Sequence, residues 1–161
     1  MRTIPIHPLT RDAFAPFGEV IEREGAAQFP INAGKCIRYH DLATIETAGE
    51  EARPMISLIR GEPYALPLTL TMVERHPLGS QAFVPLSPHP FLVVVAQETA
   101  TGPGTPVAFR TAPGQGVNIA RNVWHGILTP LDAVSDFVVV DRGGAGVNLE
   151  EHFYDEPFLV G

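Results

Sequence analysis

At 161 residues the chain is long enough for one domain with a substantial core and too short for two ordinary ones. With 45% hydrophobic against 18% charged residues it is not a disordered chain, and a formal charge of −7 with only 11 Lys and Arg excludes a phosphate-binding surface for nucleic acid. The 15 glycines and 16 prolines interrupt the chain too often for long helices and favour many short strands.

In chain order, Thr10 followed by RDAFAPF and Gly18 predicts one short helix, with Thr10 as N-cap and Gly18 as terminator. Residues 42–52 are open to either a second short helix or a loop. From Met55 onward the pattern is that of strands: 55–60, 68–75, 81–86, 91–97, 107–110, 116–119, 122–128 and 135–141. These are rich in Val, Phe, Ile and Thr, and breaker clusters separate them at the spacing of sandwiches and barrels. The longest apolar run, Phe91 to Ala96, suits a core strand and is far too short for a membrane span. The last residues, EEHFYDEPFLVG, are expected to pack back on the barrel or across a dimer. No repeat or internal linker divides the chain, so residues 1–161 are expected to form a single domain. The N-terminus lacks the pattern of a signal peptide, and one cysteine, Cys36, cannot form an internal disulfide. The expectation is a soluble cytoplasmic protein without membrane partners, with Cys36 an inert small hydrophobe.

Two segments carry chemistry-bearing residues. Glu74 and His76 stand two apart at the end of LTLTMVER, so their side chains leave the same face, while Val73 and Arg75 point the other way. Gln81 begins the next strand after Pro77-Leu78-Gly79-Ser80. In the second segment Gly114 is followed by Ala120, Asn122 and His125, with Trp124 facing the opposite side from His125. These spacings resemble the two motifs of the cupin superfamily, His-x-His with a later Glu, and Gly, five residues, Pro-x-Gly-x-x-His. Glu74, His76, Gln81 and His125 fall on the four ligand positions, with Ala for Pro and Asn for Gly in the second motif.

The wider sequence is similar to one family in particular. INAGKCIRYHDLA (31–43), ERHPLGSQAFVPL (74–86), GQGVNIARNVWHGIL (114–128) and DFVVVDRGG (136–144) resemble the ureidoglycolate lyase, or ureidoglycolate hydrolase, family of bacterial allantoin breakdown. The resemblance runs in register over nearly the whole chain. It implies an all-β, cupin-type jelly-roll barrel with one or two short helices, and a homodimer. It also implies a carbon–nitrogen lyase that converts (S)-ureidoglycolate to glyoxylate and urea in purine-nitrogen catabolism. Nickel is the metal associated with the family, and no organic cofactor is implied.

The residues suit that chemistry. Loss of urea requires taking the hydroxyl proton and protonating the departing nitrogen, so an acid and a base near neutral pKa suffice. A Glu and a His inside a barrel can supply them, because burial raises the one and lowers the other. Alternatively a divalent metal on Glu74, His76, Gln81 and His125 would acidify the hydroxyl. Gln81 is neutral where a carboxylate is usual, so the expectation is a weakly held metal or none. The small anionic substrate needs a positive fork for its carboxylate. Arg121, Lys35, Arg38 and Arg142 are the candidates, and sequence does not choose among them. Asn32, Arg38 and Tyr39 either line the pocket or belong to a polar cap. Asp141 to Gly144 read most simply as a strand end and turn. Two other readings stay open: a different metal-dependent cupin enzyme on a small hydroxy or keto acid, and a non-catalytic acid-binding cupin.

Overall fold

A computed structural model describes all residues, 1–161. The chain opens with β1 (Arg2–Ile4), β2 (Ile6–Pro8), the helical turn α1 (Arg11–Phe14), β3 (Gly18–Ile21), and the hairpin β4 (Ala27–Ile31) and β5 (Cys36–His40). Next come β6 (Arg53–Gly61), β7 (Leu68–Arg75), β8 (Gln81–Pro85), β9 (Phe91–Ala96), β10 (Glu98–Thr99), β11 (Gly102–Pro103) and β12 (Val107–Arg110). The last are β13 (Gly116–Ile119), β14 (Trp124–His125), β15 (Thr129–Pro130), β16 (Ser135–Gly143) and β17 (Glu150–Val160).

Two sheets face each other. The smaller has the order β3-β13-β8-β16-β6; the larger runs β1-β17-β7-β14-β9-β12-β2, with β15 beside β9. Pro5 breaks the first extended segment into two pieces that pair with different strands. β1 lies parallel to β17, and β2 lies parallel to β12. One segment thus joins the two ends of the larger sheet and closes it nearly into a barrel, so the fold is all-β and of the cupin-like jelly-roll type. Closure leaves few free edges for unwanted pairing.

This architecture produces two cores. Between the sheets lie Phe83, Val93, Val95, Val117, Ile119, Phe137 and Val139. Inside the curl of the larger sheet lie Val73, Leu92, Val94, Ala96, Trp124, Phe158 and Val160. The unbroken apolar run of β9 follows, because alternate residues serve opposite cores and all six are buried. Each fully buried Val or Phe contributes about 1.5–3 kcal/mol.

Where the elements differ from expectation, the backbone gives the reason. The helix is a single turn, capped by Thr10 Oγ1, which accepts from Ala13 N at 3.2 Å. Residues 42–52 form no helix. Their backbone is tied across the end of the barrel instead, by a bridge between Thr47 and Gly79 and by Ala48 N donating to Leu78 O at 2.8 Å. The stretch 122–128 contains only the two-residue β14, because Asn122 turns the chain with φ 67° just before it. Asn tolerates this left-handed conformation better than most residues. It stands where the cupin motif has Gly. The acidic-aromatic tail does pack back on the barrel, as β17 against β7. Cys36, expected as an inert small hydrophobe, is exposed on the hairpin.

Candidate active site

The site lies where several strand ends meet between the two sheets. Glu74 of β7 is the cross-strand partner of His125 of β14, which in turn pairs with Val95 of the inter-sheet core. Glu74 and His125 therefore share the inner face. Val73 and Arg75 face the other way, and the Arg75 guanidinium lies 4.3 Å from the centre of the Trp124 ring. His76 follows the last residue of β7. One ligand atom from each of Glu74, His76 and His125 lies within 4.8 Å of the other two. The two imidazoles have centroids 5.1 Å apart, and His76 Nε2 is 3.9 Å from Glu74 Oε1.

Backbone carbonyls orient both rings. His125 Nδ1 is 2.9 Å from Gly126 O, and His76 Nδ1 is 2.9 Å from Asn148 O. A carbonyl only accepts, so each Nδ1 carries a proton, and in the neutral ring the lone pair is on Nε2. Both Nε2 atoms are buried and have no hydrogen-bond partner. Asn148 has a second anchor, its Oδ1 accepting from Leu78 N at 2.7 Å.

Burial sets the charge states. His125 is 2% exposed, and desolvation lowers its pKa to about 4, helped by His76 and opposed by the bond to Gly126. It is neutral at pH 7. The Glu74 carboxyl is pushed up, chiefly by desolvation and further by Glu151, with His76 acting against the shift. An imidazole with a free lone pair beside a carboxyl of raised pKa can exchange protons with a substrate. The same three atoms, two imidazole nitrogens and one carboxylate, form a set that could hold a divalent metal, and the unpartnered Nε2 atoms are consistent with that fit.

The other sequence candidates fall in four places. Gln81 faces the same interior, since it pairs with Ile119 and stands two before Phe83, both members of the inter-sheet core. Its Nε2 donates to Asp141 Oδ2 at 3.2 Å. Arg142 is 5% exposed and faces the opposite side of β16, where it donates to the carbonyls of Ala48, Glu50 and Ala145. Arg121 is exposed, and its Nε donates to Pro77 O at 2.5 Å. Asn32, Lys35, Arg38 and Tyr39 all belong to the β4–β5 hairpin, whose strands pair only with each other. Arg38 donates to His40 there, and Tyr39 lies under Arg23. No Arg or Lys hydrogen-bonds to Glu74, His76 or His125.

Two residues were not assigned to the site from the sequence, Asp141, read there as a strand end, and Asn148. Asp141 was legible in principle, because Phe137, Val139 and Asp141 alternate onto one face of β16. Asn148 was not, since it reaches His76 across 72 positions of sequence.

Comparison with known proteins agrees over the full length. A family model described as Ureidoglycolate lyase matches residues 1–161. Ureidoglycolate lyase 2 of Rhizobium meliloti (strain 1021) is 67% identical over 99% of this chain and 98% of its own. Ureidoglycolate lyases of Chelativorans sp. (strain BNC1) and Mesorhizobium japonicum are 63% and 61% identical, again over 99% of this chain and 97% and 98% of theirs. Among solved structures, a dTDP sugar isomerase from Desulfovibrio desulfuricans G20 gives a TM-score of 0.45 at 16% identity, over 86% of this chain and 85% of that one. That likeness is too distant to bear on function.

Proposed function

The chain belongs to the ureidoglycolate lyase family and is an enzyme, and we propose that it eliminates urea from (S)-ureidoglycolate to leave glyoxylate. The observation that carries the chemistry is the convergence of Glu74, His76 and His125, one ligand atom of each within 4.8 Å of the others. Glyoxylate forms when the hydroxyl loses its proton, the oxygen lone pair closes the carbonyl, and the C–N bond breaks toward nitrogen. The nitrogen then takes a proton and leaves as urea.

His76 Nε2, with its lone pair and its place 3.9 Å from Glu74, is the base for the hydroxyl proton. Glu74, whose pKa is raised by burial, is the acid for the leaving nitrogen. His125, neutral and fixed by Gly126, accepts a hydrogen bond from the substrate and does not donate one through Nε2. Alternatively, a divalent ion held by these same three residues, nickel by family resemblance, would take up the His76 and Glu74 groups and supply Lewis-acid activation of the hydroxyl and carboxylate in place of that acid–base pair.

The reading includes a homodimer. Ile56 and Leu58 on β6 are 76% and 73% exposed, and Phe29 and Ile37 on the hairpin are 42% and 50% exposed. Exposed apolar surface on these two features suits a second copy of the chain. Lys35 and Arg38 lie on that hairpin, and we place the carboxylate anchor there, across the two-fold axis. The exposed, unpaired Cys36 fits a reducing compartment, so a cytoplasmic location is part of the reading. No helix is long and apolar enough to cross a membrane.

The test is product analysis with freshly made ureidoglycolate, read against the uncatalysed blank. Urea and glyoxylate rising together in equal amounts support the lyase. Ammonia in place of urea would make the enzyme an amidohydrolase and sink this reading.

A further inference from the structure

The proton chemistry of Glu74, His76 and His125 leaves unused a second pair of polar side chains on the inner face. Asp141 and Gln81 occupy adjacent strands, and Gln81 Nε2 donates to Asp141 Oδ2 at 3.2 Å. That bond fixes the amide orientation, because an ionised carboxylate only accepts. Gln81 must then turn its Oε1 the other way. Gln81 Oε1 and Asp141 Oδ1 are both buried, and neither has a partner. Two buried acceptors without donors are costly unless a ligand or water supplies the protons.

The pair lies at the same end of the barrel as the cluster. Gln81 is the first residue of β8, five positions after His76 along a tight connection, and Asn122 N donates to His76 O to fasten the adjoining turn. Asp141 stands near the end of β16, antiparallel to β8, whose Ala82 pairs with Val140.

From this we infer that Gln81 Oε1 and Asp141 Oδ1 form the subsite for the terminal NH2 of a ureido group, and so select carbamoylated substrates. A planar NH2 carries two N–H donors, one for each of these two unpartnered acceptors. Charge gives the substrate one direction. A carboxylate next to Asp141 would be repelled, whereas a neutral ureido group would not. The ureido end therefore points to β8 and β16, and the carbon bearing the hydroxyl is left at Glu74 and His76. This rests on the lyase reading for its substrate but not for its test.

The probe is N-carbamoylglycine, which has the carboxylate and ureido group but no hydroxyl to react. Its affinity and that of its N′,N′-dimethyl derivative are measured by calorimetry on the intact wild-type protein and on Asp141→Asn, which keeps the side-chain shape. Wild type should bind the parent compound at least about tenfold more tightly than the dimethyl derivative, the loss expected for hydrogen bonds to a charged acceptor. Asp141→Asn should weaken the parent by a similar factor and bring the two ligands to near-equal affinity. Discrimination that persists unchanged in Asp141→Asn would mean simple steric rejection and would overturn the subsite, as would failure of wild type to bind the parent. Urea release is followed separately. Asp141-dependent binding without turnover would remove the lyase reading and keep the subsite, and turnover with discrimination indifferent to Asp141 would do the reverse.

Discussion

His76 and His125 face each other with ring centroids 5.1 Å apart, and each is held by a backbone carbonyl on Nδ1 so that both Nε2 atoms converge beside Glu74. The two rings reach this point from different strands and by different supports. His125 depends on a strand pairing with Glu74 and Val95, whereas His76 depends on the loop that carries Asn148.

That loop gives the first prediction. Asn148 Oδ1 accepts from Leu78 N, which fixes the peptide that presents its carbonyl to His76. Asn148→Ala should cost about 1 kcal/mol of stability and should lower kcat more than it raises KM. Steady-state kinetics on the folded variant checks this, and a change confined to KM would contradict it.

A second prediction concerns Arg142. It satisfies three main-chain carbonyls from two loops and is buried on the side of β16 away from Asp141. Arg142→Ala leaves those acceptors without donors, so it should destabilise the fold by about 2–4 kcal/mol in denaturant unfolding. Its KM for substrate should change little, because Nε and Nη2 of the guanidinium are engaged with loop carbonyls on the side of β16 away from Asp141.

Stability should also depend on pH through His125. Its pKa falls from 6.5 to about 4 on folding, so the unfolded chain binds more protons between those values. In chelator-treated protein, this contribution is complete above pH 6.5 and is lost as pH falls toward 4. Unfolding free energies from urea titrations at pH 7 and pH 5 should differ in wild type, by on the order of 1–2 kcal/mol from this group, and should differ less in His125→Gln.

The exposed apolar surface predicts self-association. Leu58→Asp places a charge on an exposed part of β6, where the residue is 73% accessible and no core packing is lost. Sedimentation should show a dimer for wild type and a shift toward monomer for this variant. A wild-type monomer at micromolar concentration would contradict the proposed assembly.

Much of this architecture was legible in the sequence, for identifiable reasons. The strands 68–75, 107–110 and 116–119 occur with the expected bounds, because they are rich in β-branched and aromatic residues and breakers flank them. The apolar run 91–96 was legible as core, though not that it serves two cores. The strands at both chain ends were not read as strands. Pro5 interrupts β1 and β2, and their partners β17 and β12 are distant in sequence, so only tertiary pairing makes them strands. At the site, Glu74, His76 and His125 were legible from spacing. The engagement of Arg142 and Arg121 with backbone carbonyls was not, because loop carbonyls leave no mark on residue type.

The central claim is that Glu74, His76 and His125 carry the reaction, and the most direct measurement is the rate of urea release, above the blank, by wild type, His125→Ala and Glu74→Gln. Both variants should remain folded and lose roughly 100-fold or more in kcat, the size expected when a positioned acid–base group is removed. Rates within about threefold of wild type would place the chemistry elsewhere in the barrel and contradict the account.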